Sequence, residues 1–79
     1  MIGDNIKFYR KKNQLTQDDI AEACNVTRQA VSKWENGESL PTVDNLYALS
    51  RLLHTSVDDI LIGEKERDAG PSLSFSFYL

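Results

Sequence analysis

Thr16-Gln17-Asp18-Asp19-Ile20-Ala21-Glu22-Ala23-Cys24-Asn25-Val26-Thr27-Arg28-Gln29-Ala30-Val31-Ser32-Lys33-Trp34-Glu35-Asn36-Gly37 is the stretch on which the fold turns. Thr16 stands three residues before Asp19, a weaker relative of the capping box, and the carboxylates of Asp18 and Asp19 then oppose the dipole of the helix they open. Thr27 is a second hydroxyl cap, and Asn36-Gly37 supplies left-handed residues that end what it starts. Between the two lies Asn25-Val26, a tight turn in which Asn25 tolerates a positive φ. The stretch thus reads as two short helices, near 16 to 24 and 27 to 36, in the layout of a helix-turn-helix. Ala21 is the small residue where two such helices would cross closely.

Working outward, Ser56-Val57-Asp58-Asp59 repeats the pattern of hydroxyl cap and first-turn acids, Pro41 blocks any helix before the cap Thr42, and Gly63 ends the last one. Three further helices follow, near 4 to 13, 42 to 54 and 57 to 62. Apolar residues recur at three-and-four spacing: Ile2, Ile6 and Tyr9; Ile20, Ala21 and Cys24; Val31 and Trp34; Leu46, Leu49 and Leu53. With Leu15, Val26, Leu40, Val57, Ile60 and Leu61 they make one expected core for a compact all-α domain over residues 1–63. Residues 64–71, charged and then broken by Gly70-Pro71, read as a solvated linker. Residues 72–79 alternate, with Leu73, Phe75, Phe77 and Leu79 on one side, which is a strand pattern of period two. Because a lone edge strand is unstable, those four side chains are candidate contacts with a symmetry mate, which would make a dimer, or with another chain; the alternatives are a disordered end and the stub of a longer protein.

Seventy-nine residues, 41% hydrophobic and 27% charged, make one small soluble domain that buries roughly 60% of its unfolded surface. No apolar run resembles a membrane span or a signal peptide, so the cytoplasm is expected. One cysteine, Cys24, and one histidine, His54, leave no zinc-ligand set, and no metal or cofactor is expected. Catalysis also lacks machinery: there are no paired acids facing a cavity and no glycine-rich phosphate loop. The formal charge of −3 argues against a polyanion partner, but its distribution does not. Between Asn5 and Gly37 six basic residues face four acids, while three basic residues and eight acids occupy the rest. Since fields at physiological salt reach only about 8 Å, the basic first half can meet phosphate on its own terms.

The third helix has two faces. At about 100° per residue, Arg28, Ser32, Asn36, Gln29 and Lys33 fall within one arc, and Ala30, Val31 and Trp34 on the other side. Arginine can donate twice to guanine O6 and N7, and a carboxamide can pair with adenine N6 and N7. Both Arg28 and Gln29 lie in the first turn, the part of a recognition helix that reaches base edges in the major groove. The preceding helix can offer its N-terminal amides, and the Gln17 side chain, to a phosphate. The bland alternative is that these residues form the solvated face of an amphipathic helix; the turn and Ala21 weigh against it.

Leu15-Thr16-Gln17, Ile20-Ala21, the run Val26 to Gly37, Leu40-Pro41 and Val57-Asp58-Asp59-Ile60-Leu61 together closely resemble the phage-repressor and Cro family of bacterial and phage regulators, often called XRE-type. The resemblance covers about residues 2 to 63. It implies a five-helix, lambda-repressor-like domain, usually a homodimer, that binds a partly palindromic operator in double-stranded DNA as a transcriptional regulator, most often a repressor. Carried over, the family pattern puts Gln17 on a phosphate, Thr27, Arg28, Gln29 and Lys33 at base edges or nearby backbone, and Ser32 and Asn36 at the groove edge. It also implies a helix-to-helix ion pair between Arg10 and Glu35, whose wheel positions permit it. Gln14 and His54 stand where the family often ends helices with glycine, so those two turns are expected to differ slightly, and Asn25 replaces the usual turn glycine. Phe8 falls where the family is usually polar, and so faces solvent or a partner. Cys24 replaces an aliphatic and reads as a small buried apolar group. The competing reading is a protein-interaction module, such as an antitoxin that neutralises a partner protein, with DNA contact secondary; the net negative charge, Phe8 and the apolar tail favour it.

Overall fold

A computed structural model describes residues 2–63. It contains five helices, α1 (Ile2–Lys12), α2 (Gln17–Cys24), α3 (Arg28–Asn36), α4 (Val43–Leu52) and α5 (Val57–Ile62), and there is no strand among the described residues. The linker and the alternating tail, with Leu73, Phe75, Phe77 and Leu79, lie outside the described residues.

Four of the helices start where a hydroxyl can accept from an orphan amide. Thr16, Thr27, Thr42 and Ser56 hold extended backbone and accept from the amides of Asp19, Ala30, Asn45 and Asp59 at 3.0–3.2 Å. At Thr16 the capping box is complete, because Asp19 Oδ2 accepts in return from the Thr16 amide at 2.8 Å. The caps themselves lie outside the helices, which therefore begin one residue later than the sequence suggested at 16, 27 and 42.

Helix ends are set by left-handed residues. Asn25 sits at φ 58° and Gly37 at φ 79°, and each is followed by the two crossed bonds of a Schellman ending: Asn25 to Glu22 and Val26 to Ala21, then Gly37 to Trp34 and Glu38 to Lys33. Gln14 and His54 do not produce different turns. They take φ of 60° and 55°, the conformation glycine would have adopted, at a cost of about 1–2 kcal/mol each that the surrounding packing overrides. Helix α4 consequently stops at Leu52, short of the expected 54.

Ile6, Tyr9, Ile20, Ala21, Cys24, Val31, Trp34, Leu49, Leu53 and Ile60 form the core, with Ile2, Leu15, Val26 and Leu46 packed against it. α1 packs on α3 and α5, α2 on α3 and α4, and α4 on α5. Two asparagines tie the backbone across these contacts: Asn5 Nδ2 donates to the Ile60 carbonyl at 2.7 Å, and Asn13 Nδ2 donates to the carbonyls of Tyr9 and Leu53 at 2.7 and 3.0 Å. Two expected core members are corrected. Leu40 is 72% exposed and Leu61 42% exposed, because the α3–α4 connection and the outer side of α5 have no described element above them. Val57 is half-buried. α1 begins at Ile2 rather than 4, since Gly3, buried and without a side chain, lets its first turn lie directly on the end of α3.

Candidate nucleic-acid interface

α3 is held from behind and open in front. Val31, Trp34 and Glu35 are buried, whereas Thr27, Arg28, Gln29, Lys33 and Asn36 are exposed and Ser32 is half-buried. The exposed side chains therefore share one face of a helix that cannot roll without unseating Trp34. Thr27 spends an oxygen lone pair on its cap and keeps its hydroxyl proton for another acceptor.

Behind this face Arg10 and Glu35 meet as a bidentate pair, Nε to Oε2 at 2.7 Å and Nη2 to Oε1 at 3.2 Å, with side chains 12% and 3% exposed. Arg10 also donates from Nη1 to the Leu15 carbonyl at 3.0 Å. The pair thus joins α1, the loop before α2, and α3. A buried carboxylate needs such compensation, and this one receives a third donor, Gln17 Nε2, at 3.1 Å on Oε1.

That bond orients Gln17. With its nitrogen turned to Glu35, its carbonyl oxygen faces outward and accepts from Arg28 Nε at 3.4 Å. Asp18 Oδ1 lies 3.9 Å from the same Arg28 nitrogen, at the edge of an ion pair between two largely exposed side chains. A chain of contacts therefore runs from α1 through Glu35 and Gln17 to the first residue of α3. The family resemblance implied the Arg10–Glu35 pair and the wheel permitted it, but nothing in the sequence pointed to the Gln17–Glu35 bond or to Asp18 beside Arg28; both depend on the angle at which α2 crosses α3, which spacing does not encode.

The remaining singled-out residues are placed as follows. Phe8 is 51% exposed, with Lys12 Nζ 5.8 Å from its ring centroid. Cys24 is buried, and desolvation pushes its thiol up from the usual range, which leaves it protonated and a poor nucleophile. Among the described residues no group of three or more metal-ligating side chains converges, and no helix is long and apolar enough to cross a membrane.

Comparison with known proteins matches residues 6–60 to a family model described as helix-turn-helix. The chain is 40% identical over 70 residues to the HTH-type transcriptional regulator DicA of Escherichia coli K12, covering 89% of this chain and 52% of DicA. It superposes with a TM-score of 0.76 on the crystal structure of the phage P22 c2 repressor in complex with a synthetic operator, at 36% identity over 81% of this chain and 97% of that one. A SinR–SinI complex superposes with a TM-score of 0.73 at 27% identity, over 95% of this chain and 82% of the matched chain. The chain spans about half the length of DicA and 30% of the full P22 repressor.

Proposed function

The chain belongs to the helix-turn-helix family of DNA-binding transcriptional regulators, of the phage-repressor and XRE type, and from that premise we propose that it is a repressor acting in the cytoplasm as a homodimer on a partly palindromic operator. Residues 1–63 are the DNA-binding unit, and the apolar positions Leu73, Phe75, Phe77 and Leu79 supply contacts between two copies. Arg28 and Gln29 read base edges, Thr27 and Lys33 reach bases or adjoining backbone, Gln17 contacts a phosphate, and Ser32 and Asn36 line the groove edge. The observation that carries this reading is the exposure of Arg28, Gln29 and Lys33 together on a helix whose opposite face is locked by Trp34 and Glu35. Similarity to a repressor solved on its operator supports it.

Arg28→Ala and Gln29→Ala should each lose about 1–3 kcal/mol for the preferred duplex and relax base choice at one position per half-site. Fluorescence anisotropy with single-base variants of that duplex reads both effects, and an unchanged base preference removes the residue from base reading. Two recognition helices related by a two-fold axis place half-sites about 10–10.5 base pairs apart, centre to centre. Deletion after Gly63 should leave a monomer by light scattering. A dimer that survives the deletion assigns pairing to the described domain instead, where Leu40, Val43 and Tyr47 are exposed.

A second reading, a module whose main partner is a protein, draws on the exposed Phe8 and on the structural similarity to a regulator solved with a protein partner. It predicts a partner from the host copurifying in fixed stoichiometry.

A further inference from the structure

Before any DNA arrives, Arg28 already has two acceptors near it, both from the first turn of α2. Gln17 Oε1 and Asp18 Oδ1 approach the same atom, Arg28 Nε, at 3.4 and 3.9 Å. Of the two adjacent acids in that turn, only Asp18 is available for this. Asp19 Oδ2 is held by the Thr16 amide at 2.8 Å and belongs to the capping box. Gln17 is in turn oriented by Glu35, so that its oxygen and not its nitrogen is turned to Arg28. Aspartate is short and its helix is anchored by a complete cap, so a carboxylate stands within reach of Arg28, although both side chains are largely exposed.

Resting on the reading of Arg28 as a base contact, we propose that Asp18 is a specificity-determining residue, which holds the Arg28 guanidinium away from phosphates on any duplex that cannot offer it a guanine. A guanidinium on the first turn of α3 has two fates at a DNA surface. It can donate twice to guanine O6 and N7 in the groove, or it can pair with a backbone phosphate, which every sequence presents. The second fate raises affinity for all DNA and lowers discrimination. An acceptor carboxylate beside the guanidinium competes with a single phosphate contact, but it competes poorly with a bidentate base contact, whose geometry matches the fork of the side chain. Asp18 also sits in the helical turn that faces the backbone in this kind of docking, so its own charge opposes loose phosphate binding. Specificity set by a repulsive element is a difference between two affinities, and the residue's effect is expected in the wrong complex more than in the right one.

The test uses the full chain, the duplex it selects from a random pool, and a scrambled duplex of equal length. Asp18→Asn should tighten binding to the scrambled duplex by about three- to fivefold, the size of effect an exposed ion pair delivers, and tighten binding to the selected duplex by less, so the affinity ratio falls. In the Arg28→Ala background the same substitution should leave the ratio unchanged. Equal tightening on both duplexes, or a ratio change that persists without Arg28, would show a general charge effect and overturn the proposal; so would no change at all. Failure of the underlying reading looks different: Arg28→Ala alone would then leave base preference as it was. Asp18→Asn removes one first-turn carboxylate from α2, a loss of about 0.3–1 kcal/mol, so the helical signal and melting of each variant are recorded to show that it is folded at the temperature of the titration.

Discussion

Glu35→Ala should lose about 3–5 kcal/mol of folding stability, because it strips the partner from an arginine whose side chain is only 12% exposed. Domains of this size hold about 5–15 kcal/mol in all, so the variant stands close to unfolded. Arg10 would keep its bond to the Leu15 carbonyl but lose two donors' worth of acceptor, and Gln17 Nε2 would lose its partner as well. Urea denaturation of both proteins measures the difference. The informative companion is the double substitution Arg10→Met with Glu35→Leu, which removes both charges and fills similar volume. It should recover most of the loss, since desolvation of the pair offsets much of its attraction. A cost of Glu35→Ala below about 1 kcal/mol would mean that the pair behaves as an exposed one.

Gly3→Ala should cost about 3 kcal/mol, at the upper end for overpacking, and lower the melting temperature by more than about 10 °C. An added Cβ would overlap the Trp34 carbonyl oxygen and stand 2.7 Å from that of Glu35. These are backbone atoms of α3, so no side chain can swing aside, and α1 must lift from the end of α3. Gly37→Ala is the contrast. Its Cβ meets nothing within 4 Å, and its φ of 79° leaves only left-handed strain of about 1–2 kcal/mol. Thermal melts of the two variants separate packing from conformation; equal costs would show that the α1–α3 approach is not tight.

The helix-turn-helix was legible because its signals are local. A hydroxyl three residues before an acid, an asparagine able to turn left-handed, and a helix with one polar and one apolar side all lie within a few residues of one another. The Arg10–Glu35 pair was implied by the family resemblance, and a wheel permitted it, since both residues flank apolar positions. What escaped depends on approach across the chain. Gly3 carries no side chain to announce its contact with residues more than thirty positions away. Leu40 and Leu61 are apolar and correctly spaced, yet spacing cannot say whether another element covers them. Gln14 and His54 marked the right places for turns, but the sequence favours glycine for positive φ, and tertiary packing imposed it on residues that resist it. The contacts around Arg28 follow from the crossing of α2 on α3, which no spacing reports.

In the proposed function, the exposed face of α3 selects a base sequence. Selection from a random duplex pool, with the enriched duplex then titrated against salt beside a scrambled one, tests it most directly. The expected winner is partly palindromic, with half-sites about one helical turn apart, bound at least about a thousandfold more tightly than the scramble and still preferred as salt rises. No enrichment, with all binding lost at moderate salt, would leave only attraction between phosphates and the basic half of the chain, and would contradict it.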